Sequence, residues 1–333
     1  MRWIFRRSLL LLLTLFSALT INFFLVRLMP GNPVDQMLNE LMMQGYSYEE
    51  ARTTVAQIIS FVPDAPIHEQ YIAFLQGLFK GDFGRSIRLA TPVTTILGYG
   101  IPWTVFSMSL SLVISFVIGA LLGMVIAYRR GSLVDRAISL YASVSGAIPA
   151  YVVGFFLVII LAIQLRWFPS ELGPYGRNVI PPGPGELPSL EFISSVMRHA
   201  FLPVMTYVVV SVGGWILRMK SSTISVLGEY YVTAAEARGL SDRRIVLTYV
   251  GRNAMLPMFA QFAIYIGLMF TSSVFIENMF LYPGIGRFFS QSLSWRDYPL
   301  TSGCFLITTI AVVFANFLAD LLYSRLDPRI RLE

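Results

Sequence analysis

Six stretches of this chain carry no charged side chain: 8–26, 89–128, 137–165, 200–217, 253–276 and 298–319. Crossing the hydrocarbon core of a bilayer takes about 20 helical residues. Each stretch is that long, or close to it with its flanking residues. A helix satisfies its own backbone groups in lipid, so six transmembrane helices are predicted. The 89–128 stretch has the length for two spans. Its first part holds Pro92, Thr94, Thr95, Gly98, Gly100 and Pro102, which suit a loop, so one span is placed at about 101–128. Composition agrees. Hydrophobic residues make up 55% of the chain and charged residues 13%, with a mean hydropathy of +0.65. A water-soluble globule cannot hide that much apolar surface, and a disordered chain needs far more charge.

The first stretch follows a basic segment, Met1 to Arg7, as a signal peptide would. It is too long for a usual signal core and runs into Arg27-Leu-Met-Pro-Gly without a small-residue cleavage pattern, so an uncleaved first helix is expected. Arginine placement sets the orientation. With the N-terminus inside, 15 of the 25 basic residues fall in the inner segments, which are much the shorter ones. The positive-inside rule then puts both termini in the cytoplasm, with 31–100, 165–199 and 277–298 outside and 129–136 and 218–252 inside.

The soluble segments carry local signals. Ser47-Tyr-Glu-Glu50 is a capping box opening a helix to about Ser60. A second helix starts at Asp64-Ala-Pro66 and stops at Gly81, with Ile67, Tyr71, Phe74, Leu75 and Leu78 on one face. In the 218–252 loop, 227–238 has the composition of a short helix stopped by Gly239. Ser241 can cap a second helix over 242–253, and Pro257 marks the start of the fifth span. Taken by itself this loop reads as a linker resting on the membrane surface. Gly119-x-x-x-Gly123 and Gly213-Gly214 suit close helix packing, and Pro149 should kink the third span.

Familiar chemistry is missing. Lys80 and Lys220 are the only lysines and neither follows glycine, so no phosphate-binding P-loop is present. His68 and His199 lie in different loops and Cys304 is the single cysteine, so no metal site is expected. No basic run suggests nucleic acid. Glu277 and Asp320 lie at the ends of spans five and six, where they can reach interfacial water and pair with Arg287 and Arg325. A stand-alone proton-coupled carrier would need acids at mid-membrane and repeat symmetry, and neither is evident. A membrane enzyme would need a pair of facing catalytic groups.

Several stretches become recognisable together. They are Met29-Pro-Gly-Asn-Pro33, Pro66-Ile-His-Glu-Gln-Tyr71, Gly81-Asp-Phe-Gly-Arg-Ser86, Ile148-Pro149 with Trp167-Phe-Pro169, and Tyr231-Val-Thr-Ala-Ala-Glu-Ala-Arg-Gly-Leu240. Gly251-Arg-Asn-Ala-Met-Leu-Pro257, Pro283-Gly-Ile-Gly-Arg287, Arg296-Asp-Tyr-Pro299 and Asp327-Pro-Arg-Ile-Arg331 follow. In this order the chain resembles a permease subunit of dipeptide and oligopeptide ABC importers over essentially its whole length. Thr233 stands where the family's loop often has Glu, and Tyr249 where it often has His.

The resemblance implies an all-α membrane protein of six transmembrane helices, like a type I ABC importer permease, with a folded outer loop and a cytoplasmic coupling helix. Its parts would be 1–30 with the first span, 31–100 as the extracytoplasmic loop, and 101–333 as the permease core, with the coupling loop at 218–256. Thr233, Ala234, Ala235, Glu236, Arg238, Gly239, Leu240 and Arg244 would meet an ATPase, the small residues permitting close approach and Leu240 filling a cleft. Gly119, Gly123 and Pro149 would shape helix packing. The implied partners are a homologous second permease, two ATPases that bind ATP and Mg, an extracytoplasmic solute-binding protein and the lipid bilayer. The chain itself would hold no cofactor and catalyse nothing. Its place would be the inner membrane of a prokaryote. Di- and oligopeptides are the expected substrates, and oligosaccharides, carried by some relatives, are the alternative. Nothing in the sequence assigns the path. Trp215 and Tyr265 could line it, although packing is the simpler role for aromatics at span positions.

Overall fold

The computed structural model describes residues 2–28, 33–58, 66–169, 173–183 and 185–326. Its helices are α1 (Arg2–Leu28), α2 (Pro33–Met43), α3 (Tyr48–Ile58), α4 (Ile67–Phe79), α5 (Val93–Tyr128), α6 (Leu133–Ser145), α7 (Ala150–Leu157), α8 (Leu190–Leu227), α9 (Tyr230–Ala237), α10 (Asp242–Arg244), α11 (Arg252–Ala254), α12 (Leu256–Met279), α13 (Ile285–Trp295) and α14 (Tyr298–Leu326). The chain winds as π-helix over Val158–Gln164, continuing α7, and over Ile245–Gly251, joining α10 to α11. Among the described residues, α1, α5, α8 and α14 are each long and apolar enough to cross a bilayer. Counting α6 with α7, and α12, as bent spans makes six.

The chain packs as two compact units. One holds residues up to 104 with 270–278 and 283–314. In it, Ser47 and Glu50 cap α3 reciprocally: the Ser47 N–H donates to Glu50 Oε2 (2.9 Å) and the Glu50 N–H to Ser47 Oγ (3.4 Å). These bonds favour the charged carboxylate and hold the Glu50 carboxyl below its usual range. Helix α4 ends as its sequence suggests, with Gly81 at φ +73° just past the Lys80 cap. Its start differs in detail, because Pro66 occupies the cap position without a side-chain bond. Asp64, Ser60, residues 29–32 and 170–172, and the 327–331 stretch lie outside the described residues. The apolar face of α4 packs on α1: the Tyr71 and Phe74 rings lie 5.0 and 5.4 Å from Phe23, and the Tyr71 hydroxyl is 2.7 Å from Thr20 Oγ1. Helix α2 carried no expectation from the sequence. It contributes Met37 and Leu38 to a small core with Ala51 and Val55 of α3.

Helix α5 corrects the sequence reading. It starts at Val93, with the Thr95 and Ile96 N–H groups donating to the Pro92 carbonyl, and runs unbroken through Pro102. The Pro-Gly-Thr segment is helical because it is packed. Val93, Ile96 and Leu97 are buried with Ile285, Leu300 and Cys304, and Phe83, Phe288 and Phe289 close around them. Tertiary burial here outweighs the propensity of two glycines and a proline.

The second unit holds 105–269, 279–282 and the chain from 315 on. Its centre is the crossing of α5 and α8. A Cβ at Gly119 would lie 2.2 Å from the Trp215 Cβ, and one at Gly123 would lie 2.6 Å from the Ile216 carbonyl, so glycine lets the backbones meet. Trp215 is 2% exposed. It packs with Leu112, Phe116, Ala120, Met219, Ala254 and Met258, and its ring lies 5.0 Å from Tyr265. It is therefore a packing residue. Gly213 plays the same part against α6, where a Cβ would lie 2.5 Å from the Ala142 carbonyl, while nothing approaches Gly214. Pro149 does more than kink the third span. It sits at a complete break, after which α7 sets off at 110° to α6.

Candidate functional site

The 218–256 loop is a folded element with its own core. Helix α8 ends at Leu227, Gly228 caps it, and Glu229 turns the chain into α9. Val232 and Ala235 of α9 are buried against Ile245 and Val250, with Leu227, Leu240 and Tyr249 packed around them. The turn after α9 is a complete C-terminal cap. The Gly239 N–H donates to the Glu236 carbonyl (2.8 Å), and the Leu240 N–H to the Ala235 carbonyl (3.3 Å). This geometry needs a left-handed residue, and Gly239 supplies it at φ +70°. Two polar ties fix the element to its base. Ser222 Oγ donates to the Ala254 carbonyl (2.8 Å), and Asn253 Nδ2 donates to the Tyr231 hydroxyl (3.0 Å) and the Tyr249 carbonyl (2.9 Å).

The eight residues singled out in this loop divide into two groups. Thr233, Ala234, Glu236, Arg238, Gly239 and Arg244 are exposed. Ala235 is 3% exposed and points into the loop's own core, and Leu240 is half-buried against the same core as the cap's hydrophobic contact. These two hold the loop in shape. The apolar side chains that remain outside are others: Tyr230 at 93% and Leu247 at 58% exposure. No local signal pointed to them, because a two-helix loop can bury either face until the packing is known. Ser241 starts α10 without a side-chain bond to it, and Pro257 lies in the first turn of α12. Close by, Lys220 of α8 donates to Asp135 and Ser139 of α6, and Asp135 accepts from the Gly131 N–H (3.0 Å). This ion pair joins the base of the loop to the start of the third span.

A second cluster draws together stretches that are far apart in sequence. Asp297 is fully buried and caps α14, accepting from the Leu300 N–H (3.2 Å). Its other oxygen accepts from Ser86 Oγ and from the Arg88 N–H (3.2 Å). Gly81-Asp-Phe-Gly-Arg-Ser86 and Arg296-Asp-Tyr-Pro299 are thus two halves of one knot. Glu277 is equally buried, at 1% exposure, which corrects the expectation that it reaches interfacial water. It accepts from Thr104 Oγ1 (2.6 Å) and from the Arg287 N–H (3.1 Å), while Thr104 Oγ1 accepts from the Ile285 N–H (2.8 Å). Glu277 and Thr104 together cap α13. Arg287 meets Glu277 through its backbone. The side chain of Asp320, and with it the pairing to Arg325, lies outside the described residues.

These arrangements fit what the chain is similar to. The model of the binding-protein-dependent transport system inner membrane component matches residues 119–332. The oligopeptide transport system permease protein AppB of Bacillus subtilis is 29% identical over 330 residues, covering 98% of both chains. The di/tripeptide transport system permease protein DppB of Pseudomonas aeruginosa is 28% identical, covering 99% of this chain and 98% of its own. A putative peptide permease protein of Brucella suis is 32% identical over 319 residues, 94% of each chain. Spans, loop and capping cluster all fall within these matched lengths, and the chain belongs to the family of binding-protein-dependent transport system inner membrane components.

Proposed function

We propose that this chain is the non-catalytic permease subunit of an ATP-driven ABC importer of di- and oligopeptides. The observation that carries the reading is likeness along the whole length, at 98% and 99% of the chain, to permeases named for oligopeptide and di/tripeptide transport. The subunit would sit in a cytoplasmic membrane with both termini inside and form half of the path beside a homologous second permease. Two ATPases would bind ATP and Mg, and an extracytoplasmic binding protein would deliver the peptide.

The 218–256 loop is the element through which ATP binding would reach the membrane helices. A rigid loop on its own core transmits movement better than a flexible linker, because it has few alternative states to absorb it. Thr233, Ala234, Glu236, Arg238, Gly239 and Arg244 would form the contact face, with Arg238 and Arg244 toward acidic groups of the ATPase. Ala235 and Leu240 would hold the shape of that face.

Two measurements test this. Native purification of the tagged chain should recover a second permease and P-loop ATPases, and uptake of a labelled tripeptide in vesicles should follow ATP and survive a protonophore. Purification of the chain alone, with uptake that collapses with the proton gradient, would overturn the reading. For the loop, Gly239→Trp should insert normally and abolish both uptake and coupled ATP hydrolysis. Normal values for both would remove the loop from the mechanism.

A further inference from the structure

The break between α6 and α7 lies deep in the membrane, and its main chain is open. Helix α8 serves as the depth gauge, since it has no charged residue between Arg198 and Arg218. Those nineteen residues span about 28 Å, close to the thickness of the hydrocarbon core, so Val208 lies near its middle. The span formed by α6 and α7 can be placed against that scale. Near one end, Lys220 of α8 holds Asp135 of α6. The Tyr141 hydroxyl donates to the Val209 carbonyl (2.8 Å), and Gly213 abuts Ala142 and Ser145. Beyond the break, Gly154 faces Thr206, and the Phe168 ring stacks on Phe201 at 3.9 Å. The break at 146–149 therefore falls beside 206–213, within about 8 Å of mid-depth at 1.5 Å per residue.

At that depth the backbone should be paired, and here it is not. The Ala147 N–H donates to the Val144 carbonyl (2.9 Å). Among the described residues, nothing hydrogen-bonds the carbonyls of Gly146, Ala147 and Ile148, or the N–H groups of Ile148, Ala150 and Tyr151. Pro149 heads α7 without a side-chain cap. Gly146, Ala147, Ile148 and Pro149 are all exposed, as is Tyr151. Irregular backbone at membrane depth is not found against lipid. It is tolerated where protein covers it or where it lines a water-filled cavity.

We infer that residues 146–151, the break in the span formed by α6 and α7, line the water-filled path through the permease, where their unpaired main-chain groups exchange water for the main chain of the passing peptide. The inference rests on the permease reading above. Gly146 and Ala147 are small, and neither this span over 137–165 nor α8 over 199–217 carries a charge that would select among peptide side chains. Main-chain recognition of this kind suits a carrier of peptides with varied sequence.

Cys304, the single cysteine, is fully buried, so introduced thiols report without interference. Ala147→Cys and Ile148→Cys are made in the assembled transporter. Phe156→Cys, 60% exposed within the regular helix α7, serves as the control position outside the break. Each is treated with a charged, membrane-impermeant methanethiosulfonate and, separately, with lipid-soluble N-ethylmaleimide, and labelling is scored by mass. The expected result is modification of positions 147 and 148 by the charged reagent, slowed by a saturating tripeptide and followed by loss of uptake, with position 156 left unmodified. Reaction of 147 and 148 with the lipid-soluble reagent alone, or with neither reagent because a partner helix covers the break, overturns the inference. Mass labelling is independent of uptake. A transporter that never takes up peptide but labels as expected refutes the substrate reading and leaves the aqueous lining standing.

Discussion

The 218–256 loop and the capping cluster around Asp297 and Glu277 use similar residues in opposite ways. In the loop, the acids and arginines stand outside and a few small apolar residues make the core. In the cluster, the acids are inside and every oxygen accounted for by a hydrogen bond serves to cap a helix or pin a loop. Both contain stretches by which the chain resembles its family. The contrast teaches that a family-like stretch can mark a surface offered to a partner or a fastening within the chain, and that burial separates the two. Their glycines differ as well. Gly239 is required for its left-handed conformation, with nothing within 4 Å of a Cβ there. Gly284 has ordinary extended backbone (φ −93°, ψ 176°) and is required for space, since a Cβ would lie 2.2 Å from the Glu277 carboxylate.

Substitutions can break or sharpen this contrast. The largest loss of stability is expected from Asp297→Ala, which removes the cap of α14 and strands the buried Ser86 hydroxyl and Arg88 N–H. The cost is about 2–4 kcal/mol. Thermal unfolding of the purified protein should show it, together with new proteolytic cleavage near 84–92. An unfolding temperature equal to the parent's would mean the knot is not a fastening. Gly284→Ala should cost about 1–3 kcal/mol through overpacking. In a Glu277→Ala background the same change should cost less than additivity predicts, because the clashing carboxylate is gone.

On the loop side the effects on stability shrink while those on transport grow. Gly239→Ala should cost about 1 kcal/mol, since alanine must adopt the left-handed conformation. Gly239→Asn should recover part of that loss, as asparagine tolerates this region better. Hydrogen exchange of the 236–241 amides reads both, and equal protection in the two variants would contradict a conformational role. Arg238→Ala should change stability by no more than about 0.5 kcal/mol. Peptide-stimulated ATP hydrolysis should nevertheless fall well below the parent's. Unchanged coupling would show that the exposed arginine is merely solvated.

Much of the architecture was legible in the sequence because the signals are local. Runs without charge give spans whatever the neighbours do, since the bilayer imposes the same demand on every helix. The capping box at Ser47 and the stops at Gly81 and Gly239 are equally local, and they fall where they were expected. Errors came where neighbours decide. The segment at 92–102 has the residues of a loop, yet it is helical because Val93, Ile96 and Leu97 are buried. Pro149 was expected to bend a helix, and a full break formed with both halves packed on α8. Ala235 and Leu240 had the chemistry of contact residues and proved to face inward.

By itself, then, the sequence determined that this chain is a helical membrane protein and which family it resembles, because hydropathy, charge and turn chemistry act over a few residues at a time. Only the tertiary structure decided which family-like stretches are buried and which are offered. Only it joined Ser86 to Asp297 and Thr104 to Glu277, and only it left the main chain at 146–151 open. Each of those outcomes depends on residues tens to hundreds of positions apart, whose side chains compete for the same buried hydrogen bonds and the same space.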